Sequence, residues 1–244
     1  MEHYKSLWKW MIIPMVIIQA GIFVDYWGDF SRNTLAVHIH YWNATLWYAF
    51  LISQPWMFSK GSMAAHRTWG MIGLLLAGAM VFLSVAQLNR DIFYANFARD
   101  NAGEIGPFTE WFFFQVMMME MLLISGFVIA ILMAIVKRKS VEDHAWWMAS
   151  TAFLLMMPAL GRGLQGVWFA IHGFSVDLTS VLTIPVYICQ AIIIGLCLVF
   201  AWRLGKLRHP ATWIAVGANA ALFVMEPIAR SPAVQAFWRA LIPV

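Results

Sequence analysis

The sequence predicts an all-α protein that crosses a lipid bilayer as a bundle of about seven helices. Of its 244 residues, 62% are hydrophobic and only 11% are charged, and the mean hydropathy is +0.72. Soluble proteins carry about 25% charged residues, and the apolar residues here gather in segments long enough to span a membrane. This composition excludes a soluble enzyme, a disordered chain and a nucleic-acid-binding protein.

Seven apolar segments give the predicted helices in order. A bilayer core about 30 Å thick requires about 20 apolar residues in a helix. The segments are Leu7–Val24, Val37–Phe58, His66–Leu88, Glu110–Val136, His144–Ile171, Leu178–Leu204 and Ala211–Pro227. The seventh is short and ends at Glu226-Pro227, so we expect it to tilt or to end before the far surface. No linker or repeat divides the chain, so residues 1–244 are expected to form a single transmembrane domain.

The first segment and the basic residues predict the orientation. No small-residue cleavage pattern follows the first segment, which is therefore interpreted as a retained helix. With the N-terminus in the cytoplasm, ten of the sixteen lysines and arginines fall on the inner side and five on the outer side. Short loops rich in Lys and Arg remain cytoplasmic. We therefore expect a cytoplasmic N-terminus, an outer C-terminus and a location in the bacterial inner membrane.

Two segments outside the predicted spans are expected on the outer face. Residues 89–109 mix charged and aromatic side chains, and Ser231-Pro232 is typical of a helix start. Residues 89–109 and residues 226–244 are interpreted either as interfacial helices or as an ordinary loop and tail.

Polar side chains recur at helical spacing in three of the spans. An ionisable group within a membrane span is unfavourable in lipid and usually faces the bundle interior. The stripes are His40, Asn43, Trp47 and Gln54 in the second span, His66, Gly70, Gly73, Ala77, Ser84 and Gln87 in the third, and His144, Met148, Thr151, Leu155, Pro158, Arg162 and Gln165 in the fifth. At 1.5 Å per residue, Arg162 lies about 27 Å from His144. The stripes therefore predict two sites at opposite membrane faces.

The inner site consists of His66 and His144, each near the cytoplasmic start of a helix. Two neutral imidazoles from non-adjacent helices are typical axial ligands of haem b, and this haem needs no covalent attachment sequence. The nearby glycines would admit the flat porphyrin, and Arg67 with residues 137–139 would neutralise its propionates. The alternative is that both histidines are helix-end residues that contact lipid headgroups.

The outer cluster consists of His40, Arg162, Gln165, Glu226 and His172. One interpretation is a pocket for a substrate, a quinone or a second haem. The other is an ion pair between Arg162 and Glu226 that ties the fifth span to the seventh, because a charge inside a membrane is expected to have a partner.

Glu120 lies about 15 Å into the fourth span. Burial in a low dielectric disfavours its charged form. We interpret it as part of a proton path or as a hydrogen-bond partner of Gln190 on the sixth span.

Several of these motifs together resemble those of an uncharacterised family of bacterial multi-pass membrane proteins. The matching residues are His40-x6-Trp47, Gln54-Pro55-Trp56, His66-Arg67-x-x-Gly70 and His144-x-x-Trp147-Met148 with a later Arg162, within residues 36–166. The hallmarks of that family are one helix that starts with HR..G and another that starts with H..WM. The histidines on alternate helices are also similar, more distantly, to those of the transmembrane di-haem cytochromes b. Because the fourth span has no histidine, this second resemblance implies haem ligands at His66 and His144 only.

The leading hypothesis is a membrane protein that binds haem b between His66 and His144 and moves electrons. Its partners would be the lipid bilayer, a quinone or a redox partner at the outer pocket, and no nucleic acid. One alternative is a non-catalytic subunit that packs into a larger membrane complex. Another is a small transporter that uses Glu120, Arg162 and Glu226 as its polar path.

Overall fold

The computed structural model describes residues 6–242, and this part of the chain is helical, with no β-strand. Its α-helices are α1 (Leu7–Gly21), α2 (Leu35–Ser59), α3 (Met63–Asp100), α4 (Glu110–Val136), α5 (Val141–Leu155), α6 (Met157–His172), α7 (Ile184–Arg203), α8 (Pro210–Ala221), α9 (Met225–Ala229) and α10 (Pro232–Leu241). A π-helix at Phe23–Trp27 and short 3-10 helices at Phe30–Arg32, Val176–Val181 and Leu222–Val224 join them.

Local sequence explains several of the helix boundaries. Proline occupies the first turn of α6, α7, α8 and α10, where its fixed φ suits a helix and its missing N–H removes no bond. Gly61 and Gly205, which follow α2 and α7, have φ values of +73° and +67°. Glycine adopts this left-handed conformation without the steric cost of a Cβ atom, and it often ends a helix there.

The structure confirms a multi-pass membrane protein built of helices. Five segments are long and apolar enough to cross a bilayer, namely Met63–Asp100, Glu110–Val136, Val141–His172, Val176–Arg203 and Pro210–Ala229. Of the two other predicted spans, α1 is too short at 15 residues. The 25 residues of α2 are long enough to span a bilayer, but this helix is less apolar than the five segments. Large apolar side chains such as Leu75 and Phe82 are exposed on the outside of the bundle, as expected for a surface that faces lipid.

Several predicted segments have different boundaries in the structure. Residues 89–100, interpreted as an interfacial helix or a loop, instead continue α3 without a break. The predicted fifth span is interrupted at Met156, before Pro158, which divides it into α5 and α6. The seventh is divided by the 3-10 turn into α8 and α9, and residues 232–241 form the separate helix α10. Residues 243 and 244 of the predicted C-terminal segment lie outside the described part.

Buried aromatic side chains hold the central helices together through polar contacts. Trp47 Nε1 of α2 donates to Thr151 Oγ1 of α5 at 3.2 Å, and the Tyr48 hydroxyl donates to the carbonyl of Ala152 at 2.6 Å. Hydrogen bonds between helices satisfy polar groups that lipid cannot satisfy. These contacts fix the face of α2 that carries its polar stripe toward α5.

Candidate functional site

A large cavity lies between helices at the end of the bundle where α3 begins, which we call the His66 end. Its volume is about 620 Å³, within the range of about 300–1,000 Å³ typical of small-molecule sites. Most of its wall is apolar, with Trp47, Phe50 and Met148 among the lining residues. His66 and His144 both line it. The cavity therefore provides a mostly apolar site with a pair of imidazoles.

The two imidazoles lie next to each other. Their ring centres are 6.3 Å apart, and the ring planes are nearly perpendicular at 88°. His66 lies in the first turn of α3 and His144 in the first turn of α5. The folded chain thus brings together two histidines that are 78 positions apart in the sequence.

The orientation of His144 is fixed by the preceding helix. Its Nδ1 atom lies 2.9 Å from the carbonyl oxygen of Ala134 near the end of α4. Only the protonated nitrogen can donate to a carbonyl, so this contact requires the proton on Nδ1 and leaves Nε2 as a lone-pair nitrogen in the neutral ring. Histidines that bind metal ions usually donate their other ring N–H in this way.

Unsatisfied polar atoms accompany the second histidine. Nδ1 of His66 is buried without a hydrogen bond of ordinary geometry, although the backbone of Gln54 is close enough to interact with the ring. Both amide atoms of the Gln54 side chain are also buried without a partner, and this side chain lines the cavity. Buried polar groups without partners are rare, and a bound ligand is one arrangement that would satisfy them.

The α3 wall of the cavity has open space and positive charge. A Cβ atom added at Gly70 would meet nothing within 4 Å, whereas the ring of Phe50 already packs against Gly73. Arg67, Arg138 and Lys139 also line the cavity and are exposed. The site therefore offers space beside α3 and basic side chains suited to an anionic group.

A second, smaller cavity lies at the opposite end of the bundle and shares no lining residue with the first. It measures about 70 Å³ and is lined by His40, Gln87, Glu120 and Arg162 among others. Gln87 lies 21 residues after His66 on α3, about 30 Å along the helix, which is close to the thickness of a bilayer core. The Gln87 amide nitrogen contacts the His40 ring at 3.0 Å. This volume is well below that of small-molecule sites.

The outer cluster predicted from the sequence is only partly assembled. The expected ion pair between Arg162 and Glu226 does not form. Glu226 instead accepts hydrogen bonds from Arg230, four residues later, at 2.8 Å and from the Tyr187 hydroxyl at 3.1 Å. A partner one helical turn away can be reached without any contact between distant helices.

Gln165 and His172 do not line the small cavity that contains His40 and Arg162. The His172 ring packs on Trp168 with ring centres 4.3 Å apart. Both residues lie on α6 after Arg162. They are therefore on a helix that lines the cavity, but they do not form part of its wall.

Glu120 meets a carboxyl group that the sequence argument did not place there. Its side chain is within hydrogen-bonding reach of Asp91 on α3. The expected hydrogen bond between Glu120 and Gln190 is absent, since both amide atoms of Gln190 are buried without a partner. The sequence does offer one indication that Asp91 faces the bundle. It lies four residues after Gln87, so it continues the polar stripe of α3 if the helix extends past the predicted end of the span.

The described residues contain no group of three or more His, Cys, Asp or Glu side chains arranged to hold a metal ion. No family model, curated protein or solved structure matches the chain. The functional conclusion therefore depends on the geometry of the two cavities.

Proposed function

We propose that this membrane protein binds haem b in the cavity at its His66 end, where His66 and His144 would hold it, and that it transfers electrons. The 6.3 Å separation of the two ring centres carries this proposal. Histidine–metal bonds are about 2 Å long, so two rings that bind one ion from opposite sides have centres about 6 Å apart. Perpendicular ring planes are compatible with this arrangement, since two imidazoles can hold one ion between them whatever the angle between their planes.

The hydrogen bond of His144 supports the same arrangement. Donation from Nδ1 to the Ala134 carbonyl holds the ring in one orientation and selects the tautomer in which Nε2 can bind a metal ion. The end of α4 therefore holds His144 in the orientation and tautomer that metal binding requires.

The remaining residues around the cavity match the shape and charge of the group. The open space at Gly70 leaves room for a flat ring beside α3. Arg67, Arg138 and Lys139 would pair with the two propionates, since guanidinium and ammonium groups form strong hydrogen bonds to carboxylates. The apolar wall excludes water and thereby affects the redox potential of the site.

When bound, haem b supplies one-electron oxidation and reduction. The protein residues bind it, orient it and insulate it from water. Its electron partner, a quinone or another redox protein, belongs to this proposal as a class. The exposed faces of the bundle are where such a partner would approach.

Spectroscopy of the purified protein tests the proposal. The protein in detergent, produced with haem supplied, should show a Soret band that sharpens and shifts on reduction with dithionite. His66→Ala and His144→Ala should each remove the six-coordinate spectrum. His172→Ala, a histidine outside both cavities, should retain it.

Two outcomes would contradict the haem proposal. One is a colourless, folded protein after production with haem, which would favour a non-catalytic subunit of a membrane complex. The other is a haem spectrum unchanged in both cavity variants, which would place the ligands elsewhere.

A further inference from the structure

The carboxyl groups of Asp91 and Glu120 meet across the interface between α3 and α4. The two side chains are within hydrogen-bonding reach of each other. Asp91 is 2% exposed. Its Oδ2 atom and the Oε2 atom of Glu120 are both buried, and neither receives a hydrogen bond from the described residues.

An ionised carboxyl has only acceptor atoms, so two ionised carboxyls cannot satisfy each other. They also repel, and the repulsion is strong where water is scarce. A single proton between them removes both problems, because one group then donates a hydrogen bond to the other. The unsatisfied oxygens of this pair are explained by such a proton.

The charges around the pair favour one remaining negative charge. Arg90 donates to Asp91 Oδ1 through Nε at 3.0 Å and through its terminal nitrogen at 2.6 Å, so Asp91 already has a cationic partner. Arg162 on α6 also interacts electrostatically with Asp91, Glu120 and His40, but unlike Arg90 it donates no hydrogen bond to either carboxyl. Of the two carboxyls, Glu120 is therefore the one that holds the proton, and Asp91 accepts from it.

Glu120 lines the small cavity together with other polar side chains. Glu120, Gln87, His40, Ser84 and Arg162 all contribute to its wall. A volume of about 70 Å³ is sufficient to hold water. Water, the Ser84 hydroxyl and the His40 ring are groups that can pass a proton.

We propose that Asp91 and Glu120 form a binding site for one exchangeable proton, which enters and leaves through the small cavity beside His40. The step involves a proton only: the O–H bond of Glu120 breaks, the proton passes to water in the cavity, and the carboxylate that remains faces Asp91 until a proton returns. This site does not depend on haem at the His66 end.

Infrared spectroscopy of the full-length protein in detergent tests the site. At a pH of about 8 ordinary carboxyls are ionised, so a carbonyl stretching band of a protonated acid that shifts in D₂O reports the shared proton. Glu120→Gln should remove this band, because Asp91 then remains ionised beside Arg90 and accepts from the new amide. The matched control is Asp100→Asn, which should retain the band. Asp100 is exposed, lies on α3 like Asp91, and pairs with Arg99.

The wild-type spectrum alone can overturn the proposal, whether or not a variant folds. No exchangeable acid band in the wild type, or the same band in both Glu120→Gln and Asp91→Asn, would show that the pair holds no shared proton. For the route, His40→Leu should slow the D₂O shift several-fold and keep the band, whereas His172→Leu should not change the rate. An unchanged rate in His40→Leu would refute access through the small cavity.

Discussion

The Nδ1 atom of His144 lies 2.9 Å from the carbonyl oxygen of Ala134, so the last turns of α4 determine which nitrogen of the histidine is free. A carbonyl near a helix C-terminus has no partner within its own helix. The His144 side chain on the next helix donates a hydrogen bond to this carbonyl, and the bond in turn fixes the orientation of the ring. The short turn at residues 137–140 between α4 and α5 makes this contact possible.

Filling the space beside Gly70 should block the proposed haem without disturbing the fold. A Leu at this position would project into the cavity, while its Cβ would meet no atom within 4 Å. We expect the haem content of Gly70→Leu to fall at least several-fold, as measured by the absorbance of the purified protein. Gly78→Leu on the same helix also meets nothing within 4 Å and lies outside the cavity, so it should bind haem normally. Equal haem content in the two variants would contradict the placement.

Gln190→Leu should stabilise the protein. Both amide atoms of Gln190 are buried without a partner, and the residue is fully buried. Desolvation of an unpaired polar group costs about 1–3 kcal/mol, and Leu has a similar volume without that cost. Thermal unfolding in detergent, followed by circular dichroism, should show a higher midpoint than the wild type. A lower midpoint would show that the Gln190 amide makes a stabilising contact in the folded protein.

The stability of the protein should fall in mild acid through His209, which caps α8 in the loop before it. Its Nδ1 accepts a hydrogen bond from the backbone N–H of Ala211 at 3.1 Å, and only the neutral ring can accept it. Burial lowers the pKa of His209 below its ordinary value, although Asp143, 3.5 Å from Nε2, opposes the shift. A lowered pKa in the folded state means that the unfolded chain binds the proton more tightly. The contribution of His209 to stability is therefore complete above about pH 6.5 and is lost as the pH falls through the folded-state pKa.

Variants of His209 separate the cap from the titration. His209→Asn retains an oxygen that can cap the helix but removes the ionisable ring, so its unfolding midpoint should change less with pH than that of the wild type. His209→Ala should lose about 1 kcal/mol of stability near neutral pH, because the cap is absent. The same pH dependence in His209→Asn as in the wild type would assign the acid sensitivity to another group.

Arg239 should be the residue that fixes α10 to the bundle. It forms an ion pair with Glu110 on α4, its Nε donates to Asn96 Oδ1 on α3 at 3.1 Å, and its guanidinium lies 5.1 Å from the centre of the Phe114 ring. We expect Arg239→Ala to release α10 and to increase cleavage by chymotrypsin at Phe237 and Trp238 several-fold. Arg99→Ala removes an exposed ion pair with Asp100 and should leave the cleavage rate unchanged, whereas equal cleavage of both variants would refute the tether.

Hydropathy and helical spacing were sufficient to predict the all-helical membrane class and the faces of individual helices. They placed His66 and His144 at the same depth, and both side chains line one cavity. Such inferences succeed because the bilayer requires long apolar helices and because the period of an α-helix is fixed. The sequence alone did not place Asp91 in the bundle, since the hydropathy decreases before α3 ends.

Contacts between distant helices were decided by the tertiary structure alone. Glu226 bonds to Arg230 rather than to Arg162, and Glu120 meets Asp91 rather than Gln190. Helical spacing gives the direction of a side chain about its own axis, but the partner depends on how neighbouring helices tilt, rotate and break. Packing between side chains sets these quantities. The sequence therefore determined which residues share a face, and only the packed bundle determined which faces meet.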